Sequence, residues 1–455
     1  MEIKLQMDTL RYIYFVGIGG IGMSALARYF LQQGCQVAGY DKTSTPLTQA
    51  LEAEGMLVIY EDDFTQIPQA YKQINEEVLV VYTPAVPKDL GVLNAFQQAG
   101  SNLYKRSQVL GLISKDRFTI AVAGTHGKTT TSTMIAHVLT DSGFGCSAFL
   151  GGISSNYHTN TLIGQNDVVV VEADEYDRSF LTLHPDLAVV TSTDADHLDI
   201  YGAHESLLAS FQMFLQQVQA DGKIWVRKGL ELPADATYSG TSQADAYASN
   251  VVVKNGYFHF DYHDASGDLF DIALGVAGWH NVENAVVCIA IARHLGIADQ
   301  AIVRALGNFK GVKRRFEYLV RQEKNVYIDD YAHHPEELSA LIKSLRTLYP
   351  EWPLILVFQP HLFSRTRDFV DGFAEVLSRV DHLILMDIYP ARELPIEGVT
   401  SSWLLDKITL KNKQLMSEEE VIAFVQQQSP QLLVTAGAGN IDRLVGPLTQ
   451  ILKNA

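Results

Sequence analysis

The sequence predicts an α/β protein of three domains in series, each built on a mainly parallel sheet. Three observations carry this reading. Short apolar runs alternate with helical patterns along most of the chain. Two of those runs end in glycine-rich loops. One stretch of short β-rich pieces breaks the alternation near the middle.

The first domain is read as residues 1–113. Its apolar runs are YIYFV (12–16), QVAGY (36–40) and VLVVY (78–82), with covering helices between them. The second, 114–312, opens with FTIAVA (118–123) and continues with VVVV (168–171) and LAVVT (187–191). Around 224–275 come short pieces with Gly and Asp turns, such as NVVVKNGYFHFDY (250–262), which read as hairpins on one edge. A helix is expected over WHNVENAVVCIAIARHLGI (279–297), ended by Gly296. The third domain, 313–455, carries NVYIDD (325–330), PLILVF (353–358), HLILMDI (382–388) and QLLVTAG (431–437).

Composition bounds the function. Of 455 residues, 47% are hydrophobic and 19% charged, which suits folded globular domains. The net charge of −17 argues against a non-specific nucleic-acid binder, which needs a basic face. No apolar run approaches about 18 residues, so no membrane insertion is expected. The N-terminus leads into a strand pattern without a signal-peptide profile. Cys35, Cys146 and Cys288 are widely separated and fit a reducing cytoplasm, with neither a zinc framework nor a disulfide scaffold.

The first loop is VGIGGIGMSA (16–25). Gly17, Gly19 and Gly22 fit G-x-G-x-x-G between a strand and a helix, where backbone N–H groups and the helix terminus receive a diphosphate. Asp41, at the end of the next strand, stands where an acid contacts a ribose. Alone, this motif suggests a nicotinamide dinucleotide, though it specifies only the diphosphate. The second loop is AGTHGKTTTS (123–132). Gly124, Gly127, Lys128 and Thr129 supply phosphate-loop chemistry: N–H groups around phosphates, an ammonium on the β/γ oxygens and a hydroxyl for Mg²⁺. Its glycines enclose two residues where the common form encloses four. Two such loops imply two phosphorylated ligands, and a simple dehydrogenase has no use for the second. VVVVEADEYD (168–177) delivers Glu172, and LAVVTSTDADHLD (187–199) delivers Asp194, Asp196, His197 and Asp199. Glu172 and His197 are candidate Mg²⁺ ligands beyond the strand ends, with a plain surface-loop position the alternative for Glu172. Asp196 and Asp199 are read as orienting or capping residues.

Together with GWHNVENA (278–285), GVKRRFE (311–317), DDYAHHPEE (329–337), FQPHLFSRTRD (358–368), YPARELPIEG (389–398) and TAGAGNID (435–442), these segments resemble the Mur ligase family, the ATP-dependent amide-forming enzymes of peptidoglycan synthesis. The resemblance covers nearly the whole chain and implies a Rossmann-like UDP-sugar domain, a central P-loop ATPase-like domain with a small β-rich edge, and a Rossmann-like C-terminal α/β domain. It is nearest the branch that joins L-alanine to UDP-N-acetylmuramate through an acyl phosphate; the tripeptide-recycling branch is the alternative. It implies ATP and Mg²⁺, small-molecule substrates, and a monomer or weak homodimer.

By this resemblance Gly17, Gly19, Gly20, Ile21 and Gly22, with Asp41 and Thr83, bind the UDP-sugar. Gly124, Thr125, His126, Gly127, Lys128, Thr129 and Thr130 bind ATP phosphates. Thr129, Glu172 and His197 hold the metal. Asn281 and Asn284 read adenine or cap their helix. Arg314, or its neighbour Arg315, reaches the ATP, with Asp330 near the ribose. Tyr331, His333, His361 and Arg365 surround the L-alanine end; His334 either joins them or caps the helix opened by Pro335. Lys128, Glu172, His197, His361 and Arg365 are the expected catalytic set, with His197 or His361 a candidate for taking the amine proton. TAGAG (435–439) approaches a phosphate or makes a tight turn. Leu362 stands where several relatives carry Arg, which places carboxylate binding on Arg365; a phosphate contact or an acid partner is the other reading of Arg365. No Lys occurs between 195 and 222, so the carbamylated lysine of other branches has no counterpart there.

Overall fold

The computed structural model describes residues 7–115, 117–194, 204–254, 256–391 and 393–454. It divides into two compact units, one of residues 1–249, 262–270 and 283–308, the other of 250–261, 271–282 and 309–455.

In the first unit, β1 (Tyr12–Val16), β2 (Gln36–Tyr40), β3 (Leu57–Ile59), β4 (Val78–Tyr82) and β5 (Leu103–Lys105) form a parallel sheet in the order β3-β2-β1-β4-β5. The chain order reverses at β1, so the loop after β1 opens at a switch point, where such sheets bind ligands.

A second sheet has ten strands: β6 (Phe118–Ala123), β7 (Ser147–Phe149), β8 (Thr161–Leu162), β9 (Val168–Glu172), β10 (Leu187–Val190), β11 (Lys223–Arg227), β12 (Ala236–Ser239), β13 (Ala246–Lys254), β14 (Tyr257–Asp264) and β15 (Leu269–Leu274). Their order is β15-β14-β13-β12-β11-β10-β6-β9-β7-β8, with β6 flanked in parallel by β9 and β10. The 224–275 region forms the β11–β15 side of this sheet, but β11–β12 and β12–β13 pair in parallel, so these strands are not the hairpins expected: the chain crosses over between them instead of turning back.

The first two sheets share a core. Phe15 and Phe30 from one side belong to the same apolar cluster as Val171, Phe180 and Phe211 from the other. A polar latch reinforces it. Buried Arg28 donates to Glu54 through Nε (2.9 Å) and Nη2 (2.7 Å), and through Nη1 to Asn160 Oδ1 (2.5 Å). The Asn160 amide in turn donates to Ile21 O (2.5 Å) and Ser24 Oγ (3.0 Å) in the first turn of the helix Ile21–Gln32. The carboxylate and amide partners offset the cost of burying the guanidinium.

The second unit holds β16 (Glu317–Arg321), β17 (Val326–Asp330), β18 (Leu354–Phe358), β19 (His382–Leu385), β20 (Lys413–Leu415) and β21 (Leu432–Ala436), ordered β16-β17-β21-β18-β19-β20. Only the edge strand β16 pairs antiparallel; the other pairs are parallel.

The expected strands lie where the apolar runs placed them, with shifts at their ends. Glu172 is the last residue of β9 rather than just past it. The 382–388 run stops pairing as a strand at Leu385. The 279–297 helix runs Trp279–His294, and Gly296 closes it in the left-handed region at φ +77°.

Candidate active site

The loop after β6 is held by a dense set of hydrogen bonds. Gly127 has φ +81° and begins the helix Lys128–Asp141, so the loop turns in a conformation that glycine tolerates. Neighbouring β10 supplies its scaffold: Ser192 Oγ accepts from His126 N (2.6 Å) and lies 2.8 Å from Thr125 Oγ1, while Thr191 Oγ1 donates to Ala123 O (3.1 Å). His126 Nε2 is 3.8 Å from Asp194.

Lys128 curls over this loop. Its ammonium donates to Gly124 O (2.5 Å) and pairs with Glu175 at 2.7 and 2.9 Å. Glu175 is fully buried. Burial opposes the lysine charge, but Glu175, with Asp174 and Glu172 nearby, outweighs it and raises the pKa. The motif VVVVEADEYD contains Glu175 without marking its role. Nothing in the spacing of three nearby carboxylates says which one turns inward.

Strand register places Glu172. β9 pairs with β6 so that Glu172 stands opposite Val122, two residues before Gly124. Thr129 Oγ1 donates to Glu172 Oε1 (3.1 Å), and Glu172 Oε2 accepts from Gly151 N (2.9 Å). A Cβ at Gly151 would collide with that carboxylate, so the residue is a fitted cradle. Thr129 and Glu172 thus present hard oxygen donors beside a phosphate loop, a set that fits Mg²⁺. Among the described residues no group of three or more His, Cys, Asp or Glu converges as a metal site. His197, Asp196 and Asp199 lie outside the described residues.

The glycine loop after β1 gathers its expected neighbours. Asp41 Oδ2 accepts from Gly19 N (2.8 Å), and a Cβ at Gly17 would sit 2.9 Å from Thr83 Cγ2. Gly17 itself has φ +90°. Gly20, Ile21 and Gly22 lead into the helix Ile21–Gln32. Arg106, at the start of the helix Arg106–Ser114, lies against Gly22: a Cβ there would be 3.0 Å from its Cδ and Nη1. Sequence reading did not single out Arg106.

Asn284 stands by the phosphate loop, its Oδ1 3.4 Å from where a Gly127 Cβ would be. Asn281, in the other unit, donates to Ala277 O (2.5 Å), a local contact with the preceding turn.

In the second unit the expected residues collect at the carboxyl ends of β17, β18 and β21. His361 stacks on Tyr389 (5.8 Å between ring centres) and meets His333 edge-on (5.8 Å), which meets Tyr331 (5.4 Å). Burial, then His333 and Arg365, push the His361 pKa down to about 4, and its Nδ1 is buried without a hydrogen-bond partner. His333 is lowered by burial as well, with Arg365 again contributing. His334 adopts the capping role: Nδ1 accepts from Glu336 N (3.4 Å) at the start of the helix Pro335–Leu348.

Arg314, at φ +60°, donates to Asp329 (3.2 Å) and Gly437 O (2.6 Å) beneath Tyr331. Arg315 lies 3.9 Å from Glu337. Both oxygens of Asp330 accept backbone N–H groups, from Phe316 and Ala332 (2.7 Å each). Burial raises its pKa to about 6. Gln359 and Tyr389 fill the space over Gly437 and Gly439, so the TAGAG segment is a packed turn.

Comparison with known proteins matches this architecture along its length. Residues 12–118 match the model described as Mur ligase family, catalytic domain; 122–292 the Mur ligase middle domain; and 314–439 the Mur ligase, glutamate ligase domain. The UDP-N-acetylmuramate–L-alanine ligase of Flavobacterium psychrophilum is 47% identical, covering 97% of this chain and 98% of its own. That of Cytophaga hutchinsonii is 48% identical over 98% and 97%. The crystal structure of UDP-N-acetylmuramate-alanine ligase MurC from Thermotoga maritima aligns with a TM-score of 0.84 at 26% identity, covering 97% of this chain and 99% of its own. Three consecutive domain matches and full-length relatives at this identity agree with the two phosphate loops, and the chain belongs to the Mur ligase family.

Proposed function

We propose that this chain joins L-alanine to UDP-N-acetylmuramate at the expense of ATP, giving ADP, phosphate and UDP-N-acetylmuramoyl-L-alanine. The observation that carries the proposal is two phosphate loops within one compact unit. One is a glycine loop on β1; the other holds Lys128 on buried Glu175, with Thr129 on Glu172. Relatives 46–48% identical along nearly the full chain favour alanine over a recycled tripeptide as the incoming nucleophile. No helix among the described residues is long and apolar enough to cross a membrane.

A carboxylate is a poor acyl donor because its leaving group is oxide. Transfer of the γ-phosphoryl group to the UDP-sugar carboxylate makes an acyl phosphate, whose leaving group is phosphate. Lys128 holds an ammonium where charge moves onto the transferred group, and the loop N–H groups fix the donor phosphates. Thr129 and Glu172 would hold Mg²⁺, which when bound offsets phosphate charge; His197 is proposed as a further ligand. Arg365 is proposed to hold the alanine carboxylate, since a guanidinium fork matches it in two-point contact. His361, kept neutral by burial, His333 and Arg365, is at a pKa of about 4 only a weak base, so it accepts a hydrogen bond from the amine more readily than its proton. The neutral amine then attacks the acyl carbon and phosphate departs. Water must be kept from the acyl phosphate while this happens. Asn284 is proposed at the adenine, and Arg314 or Arg315 with Asp330 at the nucleotide from the C-terminal domain.

The test is phosphate release with UDP-N-acetylmuramate and ATP, adding single amino acids or the tripeptide in turn. Release dependent on L-alanine supports the proposal. Release dependent only on the tripeptide, or ATP turnover indifferent to the UDP-sugar, overturns it.

A further inference from the structure

We infer that Arg106 is a substrate-binding residue, the cation that meets the diphosphate of the UDP-sugar at the glycine loop. This rests on the reading of that loop as a UDP-sugar site. Residues 17–22 are glycine and isoleucine and carry no formal charge. They offer N–H donors to a dianionic group, and one of these, Gly19 N, is already taken by the Asp41 carboxylate. The charge must therefore come from outside the loop.

Arg106 is placed to supply it. It follows β5 at the carboxyl edge of the same sheet, and its side chain lies along the first turn of the helix that the loop opens, packed on Gly22. The absent side chain at Gly22 makes this approach possible. Arg106 also borders a small, half-open surface recess with Glu172, Asp174 and Phe180.

The resting partner of Arg106 is loosely held. Nη2 is 3.4 Å from Asp174 Oδ2, longer than a good charge-assisted hydrogen bond, and the other Asp174 oxygen accepts from Tyr176 N (3.1 Å). Its side chain keeps 19% exposure. Arg28 makes the contrast within the same unit, with both forks consumed by Glu54 and Asn160. Arg106 thus combines a weak partner with a charge-free glycine loop beside it.

Titration calorimetry of UDP, UDP-N-acetylmuramate and ATP against the wild type, Arg106→Ala and Arg106→Lys tests this. Arg106→Ala is expected to bind both uridine ligands roughly 10- to 100-fold more weakly, the scale of one charge-assisted contact, with ATP affinity unchanged. Arg106→Lys is expected to recover part of the loss, because a point charge remains without the fork. Unfolding midpoints close to wild type for the lysine variant separate binding from folding. Unchanged UDP affinity in folded Arg106→Ala overturns the inference, and so does a loss confined to UDP-N-acetylmuramate, which would put Arg106 on the sugar's carboxylate instead. A wild type that binds neither uridine ligand would refute the underlying loop reading.

Discussion

Lys128 and Glu175 form a buried pair whose two members have separate tests. Removing the ammonium takes away the cation proposed to follow charge onto the transferred phosphate. Lys128→Ala should lower kcat by roughly 10²-fold or more with the fold retained, as the loss of a preorganised electrostatic group does. Near-normal turnover in a folded variant would refute the loop assignment. Glu175 acts through Lys128. Glu175→Gln leaves the ammonium with a neutral amide, so kcat should fall roughly tenfold or more while KM for UDP-N-acetylmuramate stays near wild type. Equal changes in every KM would indicate a merely structural residue.

The imidazole of His361 gives a sharper residue-scale readout. Its folded pKa lies near 4, below the ordinary value of 6.5, so the folded state binds fewer protons than the unfolded chain in that window. The stability it contributes is present above pH 6.5 and is lost as pH falls toward about 4. NMR should find this ring neutral from pH 8 to about pH 5. Arg365→Ala removes a cation that disfavours the imidazolium, so the pKa should rise. The same variant should raise KM for alanine roughly 10- to 100-fold and leave KM for ATP little changed. A ring that titrates near 6.5 in the wild type would contradict this account of the pocket.

At the scale of elements, the strands that place the chemistry were the legible ones. YIYFV, FTIAVA and NVYIDD are apolar runs buried on both faces, and each delivers a loop of the site at its carboxyl end. The strands missed were mostly two or three residues long: Leu57–Ile59, Leu103–Lys105, Ser147–Phe149, Thr161–Leu162 and Lys413–Leu415. Runs that short carry no measurable period and exist because a neighbouring strand offers an edge. Arg106 follows one of them, so its place beside Gly22 could not be read from YKRSQ. At His334 and TAGAG the structure shows a helix cap and a packed turn, contacts that pattern does not encode. One element-scale substitution tests the first loop. Gly19→Val would put a side chain about 2.8 Å from Asp41 Oδ2 and 2.7 Å from Thr48 Cγ2. It should weaken UDP-sugar binding and leave ATP binding nearly unchanged, as equilibrium titration of each ligand would record. Parallel loss of ATP affinity in a folded variant would count against separate sites.

At the scale of the whole molecule, the shared core of the first two sheets holds both phosphate loops in one compact unit. The latch from Arg28 through Asn160 ties the first turn of the glycine-loop helix to the second sheet. A fixed separation of the two loops suits the proposed substrate, which must offer its carboxylate to ATP at one end while anchored at the other. The third sheet carries a cluster of its own, with His333, His361 and Arg365 together. The central claim is that the carboxylate is phosphorylated before the amine attacks. UDP-N-acetylmuramate labelled with ¹⁸O in its carboxylate tests it most directly, with the released phosphate read by mass spectrometry after one turnover with ATP and L-alanine. The account predicts one ¹⁸O atom carried from the carboxylate into phosphate; phosphate without ¹⁸O, alongside formed amide, would contradict it.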